Sequence, residues 1–218
     1  MKNIRIEKIA DMVKEGMIVA DIGTDHALLP ILLVERGKSK KVYACDISEG
    51  PLSAAKENIA KYGLSEFIQP VLSNGFEHVP VDSEVAVIAG MGHITATMIL
   101  DNALDRLSNF EQIITEINRN PEEMRKWISN HEFTIEDESF VHDRNHNYVI
   151  ISFSTNHHDS YTDDEIELGP ILMTKKDSEY LKYCELMYDK LSLIHQKSNG
   201  KSKETKHRVD IYKKYLER

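Results

Sequence analysis

Met17-Ile18-Val19-Ala20-Asp21-Ile22-Gly23-Thr24-Asp25-His26-Ala27 is the stretch that decides the fold. Met17 to Ile22 is a short, mostly apolar run that stops at a glycine, the pattern of a buried strand delivering its end to a loop. Before it, Ile6, Ile9, Ala10 and Val13 recur at helical spacing, and Gly16 closes that helix. After it, Pro30 suits the first turn of a helix running to about Arg36. The chain thus opens as helix, strand, glycine loop and helix.

The alternation continues. Further strands are expected at 41–46, 67–72, 84–89 and 112–117. Helices are expected from Glu49-Gly50-Pro51 to about Tyr62, and from the Gly90-Met91-Gly92 turn to about Leu107. Another starts at Asn120-Pro121-Glu122-Glu123, where cap, proline and acids all suit the positive end of a helix. Segments 133–141 and 148–154 read as a closing β-hairpin that turns between Asp143 and Asn147. Strands alternating with helices imply an α/β fold with a parallel, doubly wound, Rossmann-like sheet, and the hairpin adds an antiparallel edge.

Residues 156–169 are polar at first and read as a linker. Beyond Gly169-Pro170 the pattern is helical: Leu181, Cys184, Tyr188, Leu191 and His195 step by threes and fours like a coiled-coil seam. Ser198-Asn199-Gly200 breaks the run, and Val209, Tyr212 and Leu216 line a second helix. The expected organisation is a sheet domain over 1–155, the linker, and an antiparallel helical hairpin over 170–218. Tyr180, Tyr183, Tyr188, Tyr212 and Tyr215 interleave with lysines there; stacking on bases is open to them, but their helical spacing favours hairpin core. Trp127 is expected in the core.

The formal net charge of −9 is unevenly spread. From Pro170 onward there are 12 Lys+Arg against 7 Asp+Glu, a net +5, while the rest of the chain carries −14. A basic tail on an acidic body can hold phosphate, although a solvated helical face gives the same pattern. The two cysteines, Cys45 and Cys184, are far apart, so a disulfide framework is not expected and a reducing compartment suits the chain. No apolar run reaches the roughly 18 residues of a membrane span. Met1 to Ala10 alternates charge with isoleucine, unlike a signal peptide. A cytoplasmic protein is expected, with no membrane partner and no metal, since His142, His146, His157 and His158 lack ligand spacing to Cys or Glu.

Chemistry concentrates at strand ends. In doubly wound sheets a ligand lies across the carboxyl ends of the strands, near the reversal of strand order. Gly23 lets backbone approach such a ligand, and Asp21 can accept hydrogen bonds from an ammonium group. Asp46 ends the second strand, where an acid can bind the two ribose hydroxyls of an adenosyl group; capping of the next helix is the plainer alternative. Asn74-Gly75 follows the third strand, where an amide can meet the adenine edge or simply form a turn. Gly90-Met91-Gly92-His93 follows the fourth strand and would flank a reactive sulfonium. The loop lacks the GxGxxG spacing of a diphosphate cradle, so these four strand ends point to S-adenosylmethionine rather than NAD.

These residues resemble a known family, the bacterial tRNA (adenine-22-N1)-methyltransferases, or TrmK family. The likeness rests on Ala20-Asp21-Ile22-Gly23-Thr24-Asp25-His26-Ala27, Leu29-Pro30, Glu49-Gly50-Pro51, Asn74-Gly75 and Ile88-Ala89-Gly90-Met91-Gly92. It continues through Asn118, Arg125-Lys126-Trp127 and Leu168-Gly169-Pro170, so it covers essentially the whole chain. The resemblance implies methylation of N1 of an adenine in the tRNA D-arm, with S-adenosylmethionine in the sheet domain and tRNA held partly by the helical tail. Carried over by position, the cofactor residues are Asp21, Gly23, Asp25, His26, Asp46, Asn74, Gly90, Met91 and Gly92. The candidates beside the target base are His93, Glu116 and Asn118, the carboxylate to stabilise positive charge developing on the ring. Two positions depart from the family: His93 stands where a second small glycine is usual, and Glu116-Ile117-Asn118 where Gln-Pro-Asn is usual. Those departures leave open another acceptor, RNA or small molecule, or a relative that binds without turnover. A monomer is expected.

Overall fold

The computed structural model describes residues 3–198 and 202–217. Asn199 and Gly200, expected to break the helical tail, lie outside the described residues. Four parallel strands carry the centre: β1 (Val19–Ile22), β2 (Val42–Asp46), β4 (Val85–Ile88) and β5 (Gln112–Ile117), with β3 (Ile68–Leu72) beyond β2. The strands β6 (Phe133–Asp143) and β7 (His146–His157) form the hairpin, with β7 antiparallel to β5. The sheet order is β3-β2-β1-β4-β5-β7-β6, so strand order reverses between β1 and β4. That is the topological switch point where doubly wound sheets bind ligands.

Why these segments pair in this way follows from burial. Every residue of β1, β4 and β5 is buried, as both-face covering of a parallel strand demands. Val19, Val42, Val85 and Val87 join one apolar cluster, beneath α1 (Ile4–Met12), α2 (Leu28–Glu35) and α3 (Glu49–Lys61). Ala20, Ile22, Cys45 and Ile88 join the other, beneath α4 (His93–Asp101), α5 (Leu104–Leu107) and α6 (Pro121–Asn130). Trp127 lies in this second cluster, and its Nε1–H donates to Asp101 at 2.8 Å.

Three expectations need correction. The helix expected to run unbroken to Leu107 stops at Asp101 and restarts at Leu104, because Ala103 leaves helical geometry with ψ of +14° at a φ of −131°. The hairpin strands extend further than expected and turn between the paired residues Asp143 and His146, with Arg144 at a φ of +57°. Most important, the expected linker is structured. β7 reaches His157, Tyr161 is buried, and α7 (Asp163–Leu168) follows. Thr162 and Glu165 form a reciprocal capping box at its start, and Glu167 and Leu168 are buried at its end.

A short α8 (Leu172–Lys175) leads into α9 (Ser178–Lys197), which packs on α10 (Lys203–Leu216). Tyr180, Cys184 and Leu191 meet Ile211, Tyr212 and Tyr215 in the interface, while Tyr183 and Tyr188 are half-buried. The tyrosines are therefore hairpin core. These side chains are continuous with the cluster under β1 and β4, so one apolar core runs from sheet to tail.

Candidate functional site

A cleft of about 420 Å³ opens at the carboxyl ends of β1, β2, β4 and β5, over the switch point. Asp21, Gly23 and Asp25 enter it from β1 and its loop, and Asp46 from the end of β2. Gly90 and Met91 come from the turn after β4, and Glu116 and Asn118 from the end of β5. Eight of the twelve residues singled out in the sequence thus share one cavity.

The loop after β1 is pinned by backbone. The N–H groups of Gly23 and Thr24 both donate to the Cys45 carbonyl at 2.8 Å, and Gly23 takes a φ of +81°. The terminal methyl of Met91 rests where a Gly23 Cβ would stand, so a side chain there would both displace that methyl and strain the positive-φ backbone. His26 and Ala27 then adopt left-handed geometry at φ of +55° and +54°, each costing about 1–2 kcal/mol for a residue with a Cβ. Asn58 Nδ2 holds the turn by donating to the His26 carbonyl at 2.8 Å. Strain of this kind collects at ligand loops.

Electrostatics mark Asp21. Burial pushes its carboxyl from 3.8 up to about 6, and the neighbouring Asp46 carboxylate adds to the rise. The Thr24 hydroxyl and the Arg5 guanidinium pull the other way. The Thr24 hydroxyl is buried and lies near Asp21 without forming a hydrogen bond of ordinary geometry. A buried acid that protein groups leave poorly solvated, beside an orphaned hydroxyl, fits a cationic ligand group. Asp46 accepts from the Ser48 N–H at 2.8 Å through Oδ1, the turn-forming alternative, and still lines the cleft. Asp46 does not cap α3, whose N-cap is Ser48 with no side-chain cap bond, and the turn bond leaves Asp46 lining the cleft.

Glu116 is buried, and its Oε2 accepts from the Gly90 N–H at 2.9 Å and from Arg5 Nη1 at 2.6 Å. The carboxylate expected to face the target base is therefore clamped onto the Gly90 turn. Arg5 also stands 5.3 Å from the Tyr148 ring centroid, and both line the cleft. Sequence reading misses this pair. Arg5 is 111 residues from Glu116, and no local spacing signals their contact.

The remaining four candidates stand apart. Asn74 is exposed and lines a separate cavity with Ile99, Asn102 and Arg106. Gly92 and His93 form the start of α4 just past the cleft wall, and His26 is exposed, with Nε2 3.3 Å from Asp25 Oδ1. Among the described residues, no group of three or more His, Cys, Asp or Glu is placed to hold a metal ion, and no helix is long and apolar enough to cross a membrane.

Known proteins match this chain over nearly its whole length. The tRNA (adenine(22)-N(1))-methyltransferase of Bacillus subtilis is 25% identical, over 98% of this chain and 96% of its own length. A Streptococcus pneumoniae protein solved in complex with S-adenosyl-L-methionine superposes with a TM-score of 0.89 at 30% identity, covering 99% of this chain and 100% of that one. M. capricolum TrmK, solved with the cofactor product S-adenosyl-homocysteine, gives 0.86 at 32% identity, covering 100% and 98%. The family model for TrmK, tRNA (adenine(22)-N(1))-methyltransferase, matches residues 19–217. With the loops of β1, β2 and β4 gathered around one cleft and that match spanning nearly its whole length, the chain belongs to the TrmK family.

Proposed function

We propose that this chain forms N1-methyladenine at position 22 in the D-arm of tRNA, using S-adenosylmethionine. The observation that carries the reading is the cleft itself: two acids and two positive-φ glycines at the switch point, in a chain of this family. When bound, the cofactor supplies an electrophilic methyl group on a sulfonium. Asp21 pairs with the ligand's ammonium, Asp46 takes the ribose hydroxyls, and the Gly23 and Gly90 backbones let the ligand lie close. Asp25 and Met91 complete the walls.

The protein's part in such a displacement is alignment. Glu116 fixes the Gly90-Met91 turn from beneath and acts as a positioning residue. In this reading Asn118 contacts the target base, which its exposure at the end of β5 and its place in the cleft lining support. His93 at the start of α4 sits where it can border that base from outside the cleft. The adenine must leave its stack to reach these groups, at a cost of about a few kcal/mol. Residues 170–218 act as the accessory element that holds tRNA. Their net charge of +5 and the exposed Lys182, Lys190, Lys197, Lys203 and Lys206 support this, as does their shared core with the sheet. A tRNA substrate places the reaction in the cytoplasm.

Methyl transfer to unmodified tRNA, followed by mapping of the modified nucleotide, tests the reading. Modification at adenine 22 is expected, with tRNA affinity falling as salt rises because phosphate contacts release counterions. Modification elsewhere, or none, removes the assignment.

A further inference from the structure

A second cleft of about 700 Å³ lies beside the first and is larger than it. Arg5, Ile6, Leu28 and Tyr148 belong to both, so the two are continuous at the mouth of the cofactor site. The second cleft follows α2 from Leu28 to Glu35, eight residues and about 10 Å of helix. The N-terminal end of α1 and the β6–β7 turn close its other side.

The lining decides what could lie there. Leu28, Ile31 and Leu32 give an apolar wall, and two large apolar side chains are left in water: Leu28 is 45% exposed and Tyr62 51%. Charge argues against a phosphate. The acids Glu7, Glu35 and Asp143 outnumber the guanidinium groups of Arg5 and Arg144, and of these Glu7 is paired with Arg36 and Arg5 with Glu116. Asn3, Asn145 and His146 add polar edges without fixed charge. An apolar wall, an exposed aromatic ring, amide edges and no net positive field suit an uncharged planar group that needs stacking and edge hydrogen bonds.

We propose that this cleft takes an unstacked base of the RNA strand adjoining the target adenine, with Tyr62 as its stacking platform. The assignment rests on the tRNA reading above and extends it. Extruding one nucleotide unstacks its neighbour as well, and a cleft continuous with the reaction site gives that neighbour a surface to occupy. Such a contact raises affinity for a strand already opened, and it is blind to the phosphate charge.

The test uses the full-length protein and unmodified tRNA, with Tyr62→Ala and Tyr62→Phe. Tyr62 is exposed at the C-terminal cap of α3, and its side chain supports no core, so both variants should fold. Tyr62→Ala is expected to raise the tRNA KM about tenfold, in line with the loss of one base–aromatic stack. Cofactor affinity and kcat should hold, and Tyr62→Phe should behave as wild type. The slope of log KM against log salt should be unchanged, since no phosphate contact is lost. A KM within twofold of wild type overturns the proposal. So does a salt slope shallower by about 1, which would mark a phosphate site. If wild type fails to methylate tRNA at all, the tRNA reading falls and this one with it; if wild type is active and Tyr62→Ala is unimpaired, only the base site falls.

Discussion

Arg5 Nη1 meets Glu116 Oε2 at 2.6 Å, joining the first helix to the last parallel strand directly beneath the Gly90 turn. The Glu116 side chain is 1% exposed and that of Arg5 24%, so this is a largely desolvated pair. Removing one partner of such a pair costs more than the pair is worth, because a buried charge is left uncompensated. Arg5→Ala should therefore destabilise the fold by about 2 kcal/mol and weaken cofactor binding through the Gly90 turn. Adding Glu116→Gln should recover most of that stability. The amide oxygen can still accept from Gly90 N–H, and no orphaned charge remains. Denaturant melts of the two single variants and the double variant measure the coupling; strict additivity would show that the pair carries no interaction energy.

If Asp21 pairs with the cofactor's ammonium, cofactor binding should depend on pH. Its folded pKa of about 6 lies above the ordinary 3.8, so between those values the folded chain holds a proton that the unfolded chain has released. Folding stability from this group therefore falls as pH rises from 3.8 to about 6, by about 3 kcal/mol in all, and stays at the lower level above that range. Binding runs the opposite way, because only the carboxylate pairs with an ammonium. Cofactor affinity should fall about tenfold per pH unit below 6 and level off above it. Titration calorimetry across pH 5 to 8 on wild type and Asp21→Asn reads this, with buffer pH stepped by roughly half a unit. A variant that keeps the wild-type pH dependence would place the titrating group elsewhere.

Asp46 separates a ligand role from a structural one. Its Oδ1 already accepts from Ser48 N–H, so Asp46→Ala removes a local turn bond worth about 1 kcal/mol. If Asp46 also binds ribose, the same change should weaken the cofactor by about 30-fold or more, the scale of hydrogen bonds to a charged group. Asp46→Asn should keep part of the turn but lose much of the affinity. Calorimetry beside a thermal melt distinguishes the two, and a stability loss with unchanged affinity would leave Asp46 as a turn former alone.

The parts of the molecule legible in sequence are those whose cause is local. Asp21 to Ala27 reads correctly because a buried strand ending at glycine is a short-range pattern, and β5 is placed to the residue. α7 hides in a polar stretch, though its Thr162-x-x-Glu165 capping box was there to be read. Arg5 and Tyr148 have no such signal: the sheet brings them to the cleft from helix and hairpin more than 140 residues apart. Asn74 shows the converse. Its place after β3 suggests the adenine edge, yet the turn directs it to a separate cavity with Ile99.

Gly169 tests how the tail is fixed. It ends α7 at a φ of +84°, and a Cβ there would lie 2.5 Å from Glu138 Oε2 and 2.7 Å from Arg125 Nη2. Those two side chains form a fully buried ion pair, with Arg125 Nε 2.6 Å from Glu138 Oε1. The pair also reaches into the tail. Arg125 Nη1 donates to the carbonyls of Ile166 and Glu167, and Glu138 Oε2 accepts from the N–H groups of Ile171 and Leu172. Although burial opposes charge on Arg125, the Glu138 carboxylate holds it protonated. Gly169→Ala must therefore strain the backbone and push the pair apart, at a cost of about 4 kcal/mol. For a chain of this size that lowers Tm by roughly 10 °C. Gly50→Ala is the matched control: it lies within α3, no atom stands within 4 Å of the added Cβ, and a small gain in stability is expected. Equal melting of the two variants would mean that the Arg125–Glu138 pair yields space freely, and that the tail is held by its apolar core instead.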